Sequence, residues 1–255
     1  MKSIFDLHEN PVASQEKIIG LTKKFHEAGS MVSDGKRNKV KFYSLEGSLI
    51  NIKSYKIPHC TNKISYKYFR KSKAHRSFNY AKKLLAMGVE TPKPIAYMEN
   101  HNALGLEDSY YVSEHLKTEL TFREIERNIN YPDHENILRQ FAQFSFGLHE
   151  KGIEFLDHSP GNTLIKKLSD GKYSFCLVDL NRMKFHRFMG FVLRMKNLTR
   201  LTENREMISI ISNEYAKFYN KTEVEIFDKL WFETRKFRKR IARKNWLKRK
   251  LKIVS

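Results

Sequence analysis

The sequence predicts an α+β fold of two lobes, a small β-rich N-terminal lobe and a larger α-helical C-terminal lobe. Three observations support this prediction. Strand-like alternation occupies much of residues 39–117, where one long helical pattern interrupts it. After Thr118 the helical period dominates, around two short strand patterns. No Gly-, Ser- or Pro-rich linker divides the 255 residues, which are enough to bury a substantial core. The predicted ranges are 1–117 for the N-terminal lobe, 118–233 for the C-terminal lobe and 234–255 for a basic amphipathic helix or tail.

The N-terminal lobe is predicted to contain a hairpin, a helix and two further strands. β-branched and aromatic residues alternate over residues 39–57 on both sides of the turn sequence LEGS, as in a β-hairpin. Apolar residues then recur at helical spacing from about Ser65 to Met87, and Gly88 follows as a helix stop. The segments IAYM and SYYVSEHL predict two more strands, and a hinge is expected near Glu114–Thr118.

The C-terminal lobe is predicted to be helical around a second, smaller pair of strands. The segments TFREIERNI and HENILRQFAQFSFGLHEKG have helical periodicity, and Gly152 ends the second of them. The segments TLIKKL (residues 163–168) and YSFCLVDL (residues 173–180) predict two short strands. Beyond about Phe188 the pattern is helical to the end of the chain.

The chain is strongly basic, and the excess is concentrated near its C-terminus. Lys and Arg number 48 against 28 Asp and Glu, a formal charge of +20. Residues 234–255 hold 11 of these cations and no acid, so the other 233 residues carry 20 minus 11, or +9. Phe237, Ile241, Leu247 and Leu251 fall on one side of a helical wheel. This segment either lies on an anionic membrane surface or packs its apolar stripe on the C-terminal lobe. Nucleic acid would compete for the same charges, but no nucleic-acid-binding motif is present.

Other residue classes limit the compartment and the chemistry. Cys60 and Cys176 are far apart and outside any CxxC or Cys/His cluster, which argues against a disulfide framework or a structural zinc site. Asp6, His8 and Glu9 interrupt the apolar stretch that a signal peptide requires. No run of about eighteen apolar residues occurs that could span a bilayer. We therefore expect a cytoplasmic protein.

The densest set of chemically useful residues lies in the segment FLDHSPGN. Asp157 and Asn162 stand five apart in this loop, after a predicted helix and before a strand. Seventeen residues later Asp179 closes an apolar strand, and upstream Lys53 belongs to the strand INIKSY. Phosphoryl transfer uses a strand lysine on the ATP phosphates, an Asp that orients the hydroxyl, and an Asn and a second Asp on Mg²⁺. Alone, the loop could be a simple turn, and Lys56 could replace Lys53. The order of the four residues along the chain favours the catalytic interpretation.

Five segments carry a resemblance to a known family: GKRN, INIKSYK, KSKAHRSFNYAKKLLAMGVETPKPIAY, LHEKGIEFLDHSPGNTLIK and VDLNRMKF. Between about Gly35 and Arg205 the chain resembles the Kdo/lipopolysaccharide kinase family, bacterial enzymes with a protein-kinase-like fold that phosphorylate Kdo or heptose of the lipopolysaccharide inner core. The resemblance implies a kinase that uses ATP and Mg²⁺, with Kdo on Kdo–lipid A as the favoured acceptor. It also implies an anionic glycolipid and the cytoplasmic face of the inner membrane as partners, with no nucleic acid and no obligate protein partner.

The resemblance further implies roles for individual residues. Asp157 would be the catalytic aspartate, with Asn162 a metal ligand and Asp179 the main Mg²⁺ ligand. Lys53 would hold the ATP phosphates. The nucleotide-binding set is completed by a covering turn and a hinge residue: Gly35, Arg37, Asn38 and Glu114.

Basic residues and one histidine are candidates for contacts with the substrate or the membrane. The basic run at the start of the first predicted helix is either a solvated face or a landing surface for an anionic glycolipid. His158, next to the catalytic Asp, is either a solvent-facing loop residue or a substrate contact. The full set is His158, Arg70, Lys71, Lys73, Arg76, Arg238, Lys239 and Arg240.

One departure from the kinase pattern keeps an alternative open. Residues 47–89 contain no Asp or Glu, so the helix after Lys53 offers no carboxylate to pair with it. Ser77 and Asn79 stand where that partner is expected, and losing it costs about 1–3 kcal/mol of ordering. The chain is therefore an active kinase, which the other three site residues favour, or a membrane-associated pseudokinase that binds nucleotide or lipid without turnover. A phosphotransferase for cationic aminoglycosides or choline is a third alternative, against which the basic surface argues.

Overall fold

The computed structural model describes residues 2–7, 14–35, 38–55, 71–103, 105–118, 120–169 and 171–250. They form two compact units. The first comprises Met1–Lys117 and Leu177–Arg182, and the second comprises Thr118–Cys176 and Met183–Ser255. The short segment around Asp179 thus belongs with the N-terminal residues, although it comes late in the chain.

The first unit is built on a six-stranded antiparallel sheet. The strands are β1 (Lys2–Leu7), β2 (Ser30–Asp34), β3 (Asn38–Leu45), β4 (Ser48–Tyr55), β5 (Pro94–Asn102) and β6 (Gly105–Glu114). Their order across the sheet is β1-β5-β6-β4-β3-β2. The predicted hairpin is confirmed as β3 and β4, joined by Glu46 and Gly47 with φ of 51° and 79°. Both turn residues take the left-handed conformation that a tight two-residue hairpin requires.

Two helices cover opposite faces of this sheet, α1 (Gln15–Lys23) and α2 (Lys73–Ala86). Ile18 of α1 belongs to a buried cluster with Ile52 of β4 and Met98 of β5. Phe78 of α2 instead packs on Tyr97, with 5.3 Å between the ring centroids. Successive residues of a strand point to opposite faces, so Tyr97 and Met98 mark the α2 face and the α1 face respectively.

The ends of α2 follow from local sequence. The helix begins at Lys73, where the Ser72 hydroxyl accepts a hydrogen bond from the His75 N–H at 3.0 Å. It ends at Ala86, one residue before the predicted Met87, and Gly88 follows with φ of 66°. The predicted start at Ser65 lies outside the described residues. The strands predicted from IAYM and SYYVSEHL are confirmed as β5 and β6, whereas β1, α1 and β2 were not predicted.

The second unit is mainly helical, as predicted. Its helices are α3 (Phe122–Arg127), α4 (His134–Glu150), α5 (Phe191–Leu198), α6 (Arg205–Ala216) and α7 (Glu223–Lys250). Its strands are β7 (Leu120–Thr121), β8 (Ile153–Phe155), β9 (Thr163–Ser169), β10 (Lys172–Leu177) and β11 (Met183–Phe185). β7, β9 and β10 form one small sheet, and β8 pairs with β11. Phe141 of α4, Ile211 of α6 and Ile226 of α7 share one buried core cluster.

Two details of this unit position the loop that contains Asp157. Gly152 ends α4 with φ of 69°, and a Cβ there would lie 1.9 Å from the His186 carbonyl oxygen, so only glycine fits. The His186 N–H donates to the Gly152 carbonyl at 2.8 Å, which begins the β8–β11 pair. This pair carries the chain from α4 directly into the loop.

The long helix α7 changes character along its length. Ile226, Leu230, Glu233 and Thr234 are buried, whereas every residue from Lys239 to Lys250 is exposed except the half-buried Lys248. Of the segment predicted as a helix over 234–255, residues 234–250 are therefore the outer half of a helix that begins at Glu223, and residues 251–255 lie outside the described residues. Within the described ranges, no helix has the length and apolar character that crossing a bilayer requires.

Candidate active site

Lys53 lies near the end of β4, opposite Val40 of β3 and Tyr111 of β6 in the sheet register. Its neighbour Ile52 is buried in the α1-side cluster, so Lys53 points to the α2 face. The Lys53 Nζ lies 2.6 Å from Oδ1 of Asp179, and the two side chains are 15% and 30% exposed. Partial burial reduces the screening of this ion pair by water, which makes it stronger than a typical surface pair.

Backbone contacts hold Asp179 beside the sheet. The Leu177 N–H donates to the Glu90 carbonyl at 2.9 Å, and the Thr91 hydroxyl donates to the Leu177 carbonyl at 2.8 Å. The strand predicted over 173–180 stops at Leu177, so the prediction that Asp179 closes the strand is wrong. Asp179 instead takes a left-handed φ of 58°, and the Asn181 amide donates to its Oδ1 at 2.6 Å. Aspartate is among the residues that tolerate this conformation best.

The helix α2 does not supply a polar partner for Lys53 directly. Ser77 is buried, and its hydroxyl lies 2.7 Å from the hydroxyl of Tyr55. The Tyr55 ring centroid is 5.5 Å from Lys53 Nζ, and burial raises the pKa of the Tyr55 hydroxyl above its usual range. Asn79 is exposed on α2. Lys53 therefore pairs with Asp179, the carboxylate that follows β10, and not with a helix residue.

The predicted covering turn and hinge residue have structural roles of their own. The Gly35 N–H donates to the Asn38 carbonyl at 3.1 Å, which closes the turn, while Arg37 lies outside the described residues. Glu114 ends β6, and its half-buried carboxylate is 3.8 Å from the Nζ of the exposed Lys93. The nucleotide-binding roles of these residues stay predictions.

In the second unit, a web of hydrogen bonds shapes the loop that contains Asp157 and Asn162. The His158 N–H donates to the Phe155 carbonyl at 3.1 Å, and the Ser159 N–H donates to the Asp157 carbonyl at 2.7 Å. The Asn162 side-chain amide donates to the same Asp157 carbonyl at 2.8 Å. Asn162 thus fixes the backbone of the residue predicted to be catalytic, and its own Oδ1 is left as an acceptor.

A chain of hydrogen bonds between buried polar residues holds the start of this loop. The Asn197 amide donates to the Phe155 carbonyl at 2.9 Å, and its Oδ1 lies 3.2 Å from His149 Nε2. The other ring nitrogen of His149 lies 2.8 Å from the Tyr215 hydroxyl. Burial lowers the pKa of His149 to about 3, so the ring is neutral and can donate to Asn197 while it accepts from Tyr215.

His158 is fully buried, which corrects the expectation of a solvent-facing loop residue. Its ring packs between Phe141 and Phe155, with centroid distances of 5.5 and 5.6 Å. Neither ring nitrogen has a hydrogen-bond partner among the described residues, and burial lowers the pKa of the ring to about 4. Burial excludes the solvent-facing interpretation, and the substrate contact stays a prediction. His158 instead anchors the loop by packing.

Two arginines at this loop were not predicted. Arg200 Nη1 lies 3.6 Å from Asp157 Oδ1, with side-chain exposures of 35% and 22%. A Cβ on Gly161 would lie 2.4 Å from the Arg123 guanidinium, so the glycine lets that cation lie against the loop. Gly161 could have indicated in the sequence that another group approaches the loop closely. No sequence feature around Arg200 indicated that it pairs with Asp157.

The chemistry of the donor atoms of Asp179 and Asn162 suits Mg²⁺. Mg²⁺ takes oxygen ligands, keeps several waters and completes its shell with phosphate oxygens. Both hydrogen bonds to Asp179 end on Oδ1, so Oδ2 is the oxygen they leave for a cation. Over the described part of the chain, no group of three or more His, Cys, Asp or Glu could hold a metal by itself.

The basic candidates for substrate or membrane contact divide into inward and outward groups. On α2, Lys73 Nζ lies 5.7 Å from the Tyr55 ring centroid, and Arg76 Nε donates to the Ser72 carbonyl at 3.3 Å. Lys71 is exposed, and Arg70 lies outside the described residues. On α7, Arg238 is half-buried beside Glu203, whereas Lys239 and Arg240 are exposed. The predicted landing surface on α2 therefore includes side chains that are turned towards the sheet.

Comparison with known proteins assigns the chain to a family. The lipopolysaccharide kinase (Kdo/WaaP) family is matched over residues 23–221. Among solved structures, WaaP in complex with acyl carrier protein superimposes with a TM-score of 0.62 at 16% identity, over 92% of this chain and 98% of that chain. At this identity the likeness shows a common fold and confirms the predicted β-rich N-terminal and helical C-terminal regions. No curated protein sequence matches significantly. The chain belongs to the lipopolysaccharide kinase (Kdo/WaaP) family and is a phosphotransferase.

Proposed function

We propose that this kinase transfers the γ-phosphoryl group of ATP, with Mg²⁺, to a sugar hydroxyl of the lipopolysaccharide inner core, with Kdo on Kdo–lipid A as the acceptor. The observation that carries the proposal is the ion pair between Lys53 and Asp179. A strand lysine held beside a carboxylate that can bind a metal is the arrangement that phosphoryl-transfer enzymes use for nucleotide phosphates.

On the nucleotide side, Lys53 would bind the phosphates and Asp179, with Asn162, would hold the metal ion. A bound Mg²⁺ would neutralise charge on the phosphate oxygens. The Lys53 Nζ is already turned towards the α2 face by the strand register and held there at 2.6 Å from Asp179. This preorganisation lowers the cost of ordering the lysine when the phosphates bind.

On the acceptor side, Asp157 would orient the sugar hydroxyl and take its proton. The hydroxyl oxygen forms a bond to the γ-phosphorus, the bond from that phosphorus to the β,γ-bridging oxygen breaks, and ADP leaves. The Asp157 carboxylate is 22% exposed, and its backbone is fixed by Ser159 and Asn162. A rigid loop with a reachable carboxylate suits this role.

The pairing of Lys53 also bears on the pseudokinase alternative. That alternative was motivated by the absence of a helix carboxylate for Lys53. Because Asp179 contacts the lysine at 2.6 Å, its charge is compensated without the helix residue, which supports turnover. Cationic acceptors such as aminoglycosides are disfavoured, since the Asp157 carboxylate is itself paired with Arg200.

The decisive experiment is substitution of Asp157. Asp157→Ala and Asp157→Asn should lower the rate of phosphate transfer from ATP to Kdo–lipid A by about 10²- to 10⁴-fold, the usual contribution of a positioned proton acceptor. Asp228→Asn removes an exposed carboxylate from the same unit and should leave the rate unchanged. Mass spectrometry should place one added HPO₃ on the Kdo residue. Full activity in Asp157→Ala would contradict the assignment.

We further propose that the outer half of α7 holds the enzyme on the cytoplasmic face of the inner membrane. Ile241, Trp246 and Leu247 are 36%, 57% and 42% exposed, and basic residues surround them. The alternative, in which the apolar stripe packs on the C-terminal lobe, does not account for these exposures. Apolar side chains with flanking cations are suited to the interface of an anionic bilayer.

A further inference from the structure

Three arginine side chains converge on one aromatic ring in the second unit. The ring is that of Phe237 on α7, and the guanidinium carbons of Arg200, Arg238 and Arg240 lie 5.3, 6.0 and 5.5 Å from its centroid. Arg200 follows α5 in the chain, whereas the other two flank Phe237 on α7. We call these three residues the arginine cluster.

The cluster has more positive than negative charge. Arg200 pairs with Asp157, and Arg238 Nε lies 3.4 Å from Glu203, whose side chain is 65% exposed. Arg240 has no carboxylate within ion-pair distance among the described residues. Like charges at this spacing repel one another, and the face of the Phe237 ring offsets only part of that cost. An anion among the three guanidinium groups would relieve the repulsion.

A cavity that Arg238 lines, but Arg200 and Arg240 do not, offers room for such an anion next to the cluster. Its volume is about 440 Å³, and its lining residues are Glu203, Trp231, Thr234, Arg235, Arg238 and Lys239. Thr234 is only 1% exposed, and its hydroxyl has no hydrogen-bond partner within the described ranges. The same is true of the buried Arg238 Nε, whose contact with Glu203 is an ion pair without hydrogen-bond geometry. Buried polar groups that lack partners are expected to have one when the site is filled.

We propose that the arginine cluster and this cavity bind a phosphate or carboxylate group of the acceptor glycolipid. Guanidinium groups bind both anions through paired hydrogen bonds, and a cavity of this size accommodates a sugar acid or a sugar phosphate. This inference rests on the proposed function and specifies the chemical group that the acceptor presents.

Arg200 connects this site to the chemistry. It contacts the Asp157 carboxylate at 3.6 Å and the Phe237 ring at the same time. An anionic group held by the cluster therefore lies within reach of the arginine that contacts the proton acceptor. The acceptor would be oriented through its own negative charge, which uncharged sugars lack.

Binding of inorganic phosphate, measured without ATP and at constant ionic strength, tests the site. The chain has two tryptophans, so in a Trp246→Phe background Trp231, which lines the cavity, is the only fluorescent reporter of that kind. Phosphate should change its fluorescence with saturation. Arg238→Gln and Arg240→Gln should each raise the dissociation constant about tenfold or more, the effect of one lost charge-assisted hydrogen bond.

The matched control is Arg243→Gln, which removes the same charge from an exposed position one turn along α7 and should change phosphate affinity less than about twofold. Arg240→Lys keeps the charge without the paired donors and should bind phosphate with intermediate affinity. Thermal melts would verify that each variant is folded. No saturable response in the folded parent, or an equal loss in Arg243→Gln, would overturn the site.

Two further arms identify the source of the anion and separate this inference from the kinase assignment. Displacement of phosphate by phosphatidylcholine vesicles that contain phosphatidic acid, but not by plain vesicles, would identify a lipid headgroup as the source. If neither kind of vesicle displaces phosphate but free Kdo does, the source is the sugar carboxylate; if neither free Kdo nor the phosphatidic acid vesicles displace it, the assignment to the acceptor glycolipid is refuted. Asp157→Ala should still bind phosphate. If Asp157→Ala loses phosphate transfer but still binds phosphate, the anion site is supported whatever the role of Asp157. If the enzyme is active but binds no phosphate, the anion site is refuted and the kinase assignment is not.

Discussion

Acid should destabilise the helical unit through two of its buried imidazoles, those of His149 and His158. Burial lowers the pKa of His149 to about 3 and that of His158 to about 4, against about 6.5 in an unfolded chain. Between these values the unfolded state binds protons that the folded state does not. Stability is therefore fully present above pH 6.5 and is lost as the pH falls towards 4.

The size of the effect follows from the same values. Each imidazole contributes a slope of about 1.4 kcal/mol per pH unit below its unfolded pKa. From pH 6.5 to pH 5 the loss is about 2 kcal/mol for each residue and about 4 kcal/mol for the pair. Against a total of about 5–15 kcal/mol for a typical domain, this loss is large enough to measure.

Urea denaturation followed by circular dichroism at pH 7 and pH 5 would measure it. His158→Phe should remove about half of the pH-dependent loss, because a phenyl ring fits between Phe141 and Phe155 and takes up no proton. His26→Gln, at an exposed position, should leave the loss unchanged. The reasoning is refuted if the folded His158→Phe variant loses as much free energy of unfolding as the wild type.

Two further predictions concern the nucleotide and the membrane. Lys53→Met should abolish the thermal stabilisation by Mg-ATP and lower turnover by about 10²-fold or more, since it removes a preorganised cation. Lys39→Met, which replaces an exposed lysine on β3, should change neither quantity. Unchanged ATP binding in Lys53→Met would contradict the role of Lys53. The double variant Trp246→Ser, Leu247→Ser should bind phosphatidylethanolamine vesicles that contain phosphatidylglycerol at least about tenfold more weakly, since less apolar area can enter the bilayer. Phe232→Ser, an exposed position nearer the start of α7, is the control, and equal losses in both would argue against binding through the outer half.

The predictions that the structure confirms rest on local patterns. The β3–β4 hairpin follows from alternation around a Glu-Gly turn, and the end of α2 follows from Gly88. In contrast, β2 is exposed along its whole length, so burial imposes no alternation on its sequence. Alternation of apolar and polar residues reflects which residues must be buried. An edge strand with neither face covered therefore has no such alternation in its sequence.

The site shows the same division between local and distant information. Asp157 and Asn162 share a loop, and the hydrogen bond between them lies within five residues. The pairing of Arg200 with Asp157 joins residues more than forty apart, and the burial of His158 depends on Phe141 from the preceding helix. Neither contact has a signature in one sequence, because each depends on the packing of separate helices.

One solved structure with this fold is WaaP in complex with acyl carrier protein. The expectation that this chain needs no obligate protein partner therefore stays a prediction.

The continuity of α7 has a mechanical consequence. Its 28 residues span about 42 Å at the usual rise of an α-helix, with Leu230 in the core and Trp246 near the free end. Because one continuous helix joins the core to the outer half, a surface that binds the outer half also sets the angle between that surface and the helical unit. Arg238 and Arg240 of the arginine cluster lie near the middle of this helix, and the number of helical turns between Arg240 and Trp246 would fix their height above the surface.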